Sequence, residues 1–175
     1  MEPAVSLRPL ILSDVATYAL WGQDRRFCEH AGWTVDLPRP DHEAHWHNLV
    51  TRPPSDLVRL AAVAGEEVVG YVDLHGDEPH RRELGYVVGP SARWGQGLGT
   101  TVARLGLAHG FDALDLQEIW AEAVDANRPS IRILTALGMT ETGRGHEEPF
   151  LGVPSFYRQF AIARTSWEIA SGRPL

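Results

Sequence analysis

Residues 83–100 read Glu-Leu-Gly-Tyr-Val-Val-Gly-Pro-Ser-Ala-Arg-Trp-Gly-Gln-Gly-Leu-Gly-Thr, an apolar strand that passes a proline-marked turn and enters a glycine-dense loop opening a helix. Such a chain has to bring a strand end to a helix N-terminus through a segment in which Gly95, Gly97 and Gly99 carry no side chains. Backbone amides can then approach a ligand closely, and the helix adds the positive end of its dipole. The order predicts a cradle for a phosphate or pyrophosphate.

Spacing separates three kinds of cradle. A Walker loop ends in Gly-Lys-Ser/Thr, and every one of the 16 basic residues is arginine, which removes that chemistry. A dinucleotide fingerprint reads G-x-G-x-x-G, whereas Gly95-x-Gly97-x-Gly99 brings its third glycine one residue early, although Asp115 or Asp125 could each serve as the ribose-binding acid.

The third kind fits. Arg93-Trp94-Gly95-Gln96-Gly97-Leu98-Gly99 resembles the acetyl-CoA loop of the GNAT family of N-acetyltransferases, Arg/Gln-x-x-Gly-x-Gly/Ala, with Trp94 in the Arg/Gln slot. Tryptophan followed by Gly-Lys/Gln-Gly is similar to the branch containing the ribosomal-protein alanine and serine N-acetyltransferases. A second block, from Asn127 and Ser130 to Leu137-Gly138-Met139, resembles that branch's Asn-x-x-Ser helix and its Leu-Gly-Phe/Met cap. Leu7-Arg8-Pro9-Leu10 with Asp14 resembles the branch's opening strand and helix start, and residues 160–167 its closing strand and Trp-containing tail. Residues 21–54 match least, and in this family that region shapes the acceptor pocket.

The resemblance implies one N-acetyltransferase domain over residues 1–175, an α/β (α+β) fold with a mixed, mostly antiparallel central sheet flanked by helices. A chain of 175 residues with 43% hydrophobic content suits one core. No run approaches the ~20 apolar residues of a membrane span, and no basic region followed by an apolar run opens the chain. With a single cysteine, Cys28, the expected setting is the cytoplasm. A net charge of −7 argues against generic nucleic-acid binding, Arg25-Arg26 and Arg81-Arg82 being local exceptions, and favours a cationic amine partner.

Along the chain, strands are expected at residues 6–11, 58–63, 68–74, 83–88, 119–124, 140–143 and 157–162. Helices are expected from Ser13 or Asp14 to Gly22, over 42–50, over 97–111 and from Asn127 to a left-handed cap at Gly138. In the 97–111 helix, Leu98, Val102, Leu105 and Phe111 share one stripe, and Gly106 hints at close packing.

Acetyl transfer to an amine requires an ammonium to lose its proton and a departing thiolate to be stabilised or protonated. The resemblance places Glu83 as the base, where Glu-Ile-Val or Glu-Ile-Gly carries the family's catalytic glutamate. The plainer reading pairs it with Arg81 or Arg82. Val87 and Val88 are implied to pair with the pantetheine arm as an added strand, and the amides of Gln96, Gly97, Leu98, Gly99 and Thr100 to hold the pyrophosphate. Arg93 is a candidate phosphate contact. Asn127 and Ser130 read as ordinary helix capping; the resemblance makes Asn127 a cofactor contact and Ser130 a proton donor near the sulfur, because the family's usual tyrosine is missing from Ala136-Leu137-Gly138.

His42, His45 and His47 have the wrong spacing for a metal helix, so no metal is expected. Trp33, His42, Trp46 and His146 are candidate walls of the acceptor site. The co-substrate expected is acetyl-CoA, and the acceptor a protein N-terminus or a small-molecule amine, reached by direct transfer. Another acyl-CoA such as succinyl-CoA, and a non-catalytic acyl-CoA sensor, stay open. So does the oligomeric state, a homodimer being common among similar enzymes.

Overall fold

The computed structural model describes residues 4–172. Seven strands follow the order β1-β2-β3-β4-β5-β7-β6, with six helices, in line with the expected mixed sheet. The elements are β1 (Val5–Pro9), α1 (Asp14–Trp21), α2 (Arg25–Ala31), α3 (Arg39–Thr51), β2 (Leu57–Ala64), β3 (Glu67–His75), β4 (Arg81–Val88), a 3-10 turn (Ser91–Arg93), α4 (Leu98–Asp112), β5 (Glu118–Val124), α5 (Arg128–Ala136), β6 (Thr140–Glu147), β7 (Phe156–Ala163) and α6 (Arg164–Ala170). Two compact units divide them: one takes the chain up to Asp73 with Tyr86–Val102, the other Leu74–Gly85 with the chain from Ala103 onward.

In the first unit β1 pairs antiparallel with β2 from Val5↔Ala64 to Pro9↔Leu60. The strand stops short of the expected residue 11 because Asp14 pulls the chain into a turn. Its Oδ2 accepts the Ile11 amide at 2.9 Å, and Arg8 grips both carboxylate oxygens at 2.7 and 2.8 Å. Ser13 makes no side-chain cap, and the buried Asp14 puts a negative charge in the first turn, at the positive end of the helix dipole. Removing Arg8 costs about 3 kcal/mol, since the Asp14 charge is then left buried without its partner.

The core of this unit is aromatic. Tyr18 and Trp46 stack at 4.1 Å, Trp21 meets Tyr18 edge-on at 5.0 Å, and Phe27 meets Trp33 edge-on at 4.9 Å. Each such contact adds ~0.5–1.5 kcal/mol beyond area burial. A second cluster joins Ala62, Val69, Val88 and Val102, with Leu98 and Trp94 against it. The β2–β3 hairpin turns at Gly65, whose φ of 63° is the left-handed value that such a turn favours.

In the second unit β4 and β5 run parallel over Arg81↔Glu118 to Glu83↔Trp120, and β7 pairs antiparallel with both β5 and β6. Gly110 is a close-packed glycine of α4, because a Cβ there would stand 2.6 Å from Ile119 Cδ1, and Gly106, one turn before it, is buried too. The buried α4 positions are Val102, Ala103, Gly106, Leu107, Gly110 and Phe111. Leu105, expected on that stripe, is only half-buried. α5 ends as expected, at Gly138 with φ 82°. Trp167, expected in a tail, is buried in α6 and stacked on Phe111 at 5.9 Å. β6 reaches Glu147, so His146 and Glu147 lie on a strand and not on the loop before β7.

Candidate active site

At the end of β4, Val88 faces the aliphatic cluster and Val87 packs against the aromatic one. Gly70 on β3 allows this, because a Cβ there would run into the Val87 carbonyl. The chain then makes its 3-10 turn, closed by the Arg93 amide on the Pro90 carbonyl at 3.0 Å. Trp94 donates its Nε1–H to the Val88 carbonyl at 2.8 Å, which pins the loop to the strand it leaves.

Gly95 and Gly97 hold φ values of 82° and 79°, the left-handed region that glycine enters without penalty. A Cβ at either would meet no protein atom within 4 Å, so the loop's outer side is open. The Thr101 amide bonds to the Gly97 carbonyl at 3.3 Å, and helix geometry leaves the amides before it without an intrahelical acceptor. The first turn of α4 carries no acid to repel an anion. These features fit a diphosphate held by the amides of Gln96, Gly97, Leu98, Gly99 and Thr100. Arg93 is ion-paired with Glu67 on β3.

In the second unit Glu83 is half-buried on β4. Arg81 is engaged by Glu118, Nε to Oε1 at 2.6 Å, and Arg82 donates to the Leu74 carbonyl at 3.4 Å. The registers Glu83↔Trp120, Glu122↔Gln159 and Val124↔Tyr157 place Glu83, Glu122, Gln159 and Tyr157 on one sheet face. Gln159 donates to Glu122 Oε2 at 3.2 Å. Burial raises the Tyr157 pKa, and Glu148, Glu122 and Glu83 add to the effect by making phenolate unfavourable. This face combines carboxylates that can accept protons with a phenol that keeps its own.

Asn127 caps α5, its Oδ1 accepting from the Ser130 amide at 3.4 Å, so the polar end left to it is the Nδ2 donor. Ser130 is half-buried in the first turn. His146 is exposed and lies 4.8 Å from the Tyr157 ring. Among the acceptor candidates, Trp33 keeps a partly exposed ring and donates to the Tyr71 hydroxyl at 3.3 Å. Trp46 is a correction: it is 1% exposed, sealed between Tyr18 and the Arg59 guanidinium, and offers an acceptor no face. His42 is also core, 4% exposed and laid over Gly22. Among the described residues no three His, Cys, Asp or Glu side chains gather as a metal set, and no helix is long and apolar enough to cross a membrane.

Sequence reasoning missed Asp24, Glu67, Glu122, Gln159 and Tyr157. Asp24 carried a readable signal, an aspartate just before a helical run, where it caps α2 through the Phe27 amide at 3.0 Å. Glu122, Gln159 and Tyr157 are brought into place by strand register, and Glu67 meets Arg93 through the turn after β4, neither of which the chain spells out locally.

Comparison with known proteins bears on this geometry. The model of the acetyltransferase (GNAT) domain matches residues 5–140. Mycothiol acetyltransferase of Corynebacterium glutamicum is 32% identical over 113 residues, 64% of this chain and 36% of that protein. A Bacillus licheniformis protein named N-acetyltransferase p20 is 31% identical over 80 residues, 45% of this chain and 44% of that one. The matches thus span less than half the length of these curated relatives. Among solved structures, spermidine N-acetyltransferase from Vibrio cholerae with CoA and spermine superposes with a TM-score of 0.79 at 17% identity, covering 93% of this chain and 97% of that one. Aminoglycoside acetyltransferase AAC(6')-Ib with coenzyme A gives 0.77 at 18%, covering 96% and 99%, and at such identities the likeness is one of fold. Matched over residues 5–140, this chain belongs to the GNAT acetyltransferase family.

Proposed function

We propose that residues 1–175 act as one acetyl-CoA-dependent N-acetyltransferase domain whose acceptor is a cationic amine, either a small molecule or a protein N-terminus. The observation that carries this reading is the glycine loop, with two left-handed glycines open to solvent at the start of α4 and no acid in that helix's first turn. Acetyl-CoA, when bound, supplies the acetyl group as a reactive thioester. The amides of Gln96–Thr100 hold its diphosphate, Val87 and Val88 offer backbone to the pantetheine arm, and Asn127 offers Nδ2.

Glu83 takes the proton that the ammonium must shed before its nitrogen attacks. Glu122, oriented by Gln159, draws the cationic acceptor to the same sheet face. Ser130 is the candidate donor to the departing sulfur. The names of the matched proteins support the amine class: spermidine and aminoglycoside acetyltransferases share the fold. A cytoplasmic setting agrees with Cys28, a fully buried free thiol.

The test is incubation with acetyl-CoA and pooled amines, peptides and ribosomal extract, followed by mass spectrometry. An acetylated amine is the expected product. Transfer only from another acyl-CoA such as succinyl-CoA would move the donor assignment, and CoA binding without any transfer would make the chain a sensor.

A further inference from the structure

We propose that Asp24 is a positioning residue for coenzyme binding: its carboxylate ties the N-terminus of α2 to the start of the glycine loop and so sets where the cradle's amides stand. The inference rests on the function proposed above. The two oxygens have separate duties. Oδ1 accepts the Phe27 amide at 3.0 Å, which caps α2, and Oδ2 accepts the Ser91 amide at 2.9 Å, a contact across 67 residues of sequence. Burial pushes the Asp24 carboxyl up, but the Phe27 and Ser91 hydrogen bonds outweigh it and hold the pKa below the usual aspartate value. The side chain is therefore a carboxylate with both oxygens engaged across the working pH range.

The same short helix clasps the loop a second time. The Trp94 ring lies 5.0 Å from His30 and 5.2 Å from the Arg26 guanidinium, both on α2. At Gly89, just before the loop, a Cβ would stand 2.6 Å from the Trp21 ring and 3.0 Å from Phe27, so the chain is pressed against these helices. Residues 89–94 are thus fastened to residues 21–30, while Gly95 and Gly97 have no protein atom within 4 Å of a Cβ. Whatever order the open side has must come from its fastened side. Releasing the fastening lets the loop visit other conformations, and apparent affinity falls by the fraction still competent to bind.

Asp24→Ser separates the two duties, because serine caps helices about as well as aspartate but is too short to reach Ser91 as well. Asp24→Ala removes both. The full chain and both variants are compared by calorimetric titration with coenzyme A, by thermal unfolding, and by amide hydrogen exchange without ligand. Asp24→Ser is expected to unfold within a few degrees of the wild type, to exchange faster from Ser91 to Gly97, and to bind coenzyme A about tenfold more weakly. Asp24→Ala loses the same affinity and also thermal stability. Unchanged exchange in Asp24→Ser would overturn the tie whether or not coenzyme A binds. Faster exchange with unchanged affinity would overturn its role in positioning. Failure of the wild type to bind coenzyme A would instead strike the proposed function, and the exchange data would still decide whether the tie exists.

Discussion

Arg93 and Glu67 form an ion pair at the edge of the glycine loop, Nη2 of the guanidinium against Oε1 of the carboxylate. Arg93 is the cation expected to meet a coenzyme phosphate, and its partner Glu67 is a residue of β3. A partly exposed pair of this kind is worth ~0–1 kcal/mol, so a diphosphate can compete for the guanidinium. Replacing Glu67 by Gln should tighten coenzyme A binding about threefold, and Arg93→Ala should weaken it about tenfold, by calorimetry. Wild-type affinity in both variants would take Arg93 out of the coenzyme contact.

Gly97 holds φ 79° in a position whose outer side is free of protein atoms. Gly97→Val therefore meets backbone strain of ~1–2 kcal/mol and puts its side chain where the cradle receives its ligand. Coenzyme A affinity should drop by a factor of ten or more while circular dichroism stays native. Affinity retained in the valine variant would contradict a main-chain cradle.

Glu83→Gln keeps shape and removes the base. Transfer should slow about 100-fold, with a shifted pH–rate profile and an unchanged Kd for coenzyme A. Glu122→Gln should act differently, raising KM for the amine while leaving kcat near wild type. Turnover unaltered in Glu83→Gln would assign the proton to another group.

His42 and Gly22 are packed so tightly that a Cβ at Gly22 would enter the imidazole ring. Gly22→Ala should cost ~1–3 kcal/mol in denaturant unfolding through overpacking. The buried His42 Nε2 has no hydrogen-bond partner, so His42→Leu removes an unsatisfied polar atom and should be neutral or stabilising. A loss above 3 kcal/mol in the leucine variant would mean that the imidazole does have a partner.

Burial raises the Tyr71 pKa to about 12, against 10.0 for the free phenol. A group whose folded pKa lies above its unfolded value contributes stability that is complete below the unfolded pKa and lost as pH rises through the folded one. Stability should hold up to about pH 10 and decline above it, Tyr18, whose pKa burial also raises, adding to the loss, and Tyr71→Phe should make that decline shallower without removing it. Spectrophotometric titration of the four tyrosines checks this, with all of them ionising near pH 10 as the contrary result.

The elements legible in the sequence were those written in local physics. The glycine loop, the Asn127 helix start and the Gly138 cap all stand where turn and cap chemistry puts them. α2 was missed because its Arg-Arg-Phe-Cys-Glu-His run has little periodicity, and only its ends betray it, the cap at Asp24 and the left-handed Gly32. Trp46 and His42 looked like pocket walls because aromatic and imidazole side chains suit both a core and a site; burial, which depends on residues far along the chain, decides between them. Glu122 and Tyr157 became visible through the β5–β7 register, which pairs residues more than thirty positions apart. The β6 extension to Glu147 was hidden by Gly143 and Gly145, which read as turn and are tolerated in an exposed strand beside Gln159 and Tyr157.

The grip of backbone nitrogens on a coenzyme diphosphate is tested most directly by a crystal structure of this chain grown with coenzyme A. The account predicts phosphate oxygens within hydrogen-bond distance of the amides between Gln96 and Thr100, with Gly95 and Gly97 still left-handed. Coenzyme A bound elsewhere, or a loop folded shut with no phosphate against it, would contradict it.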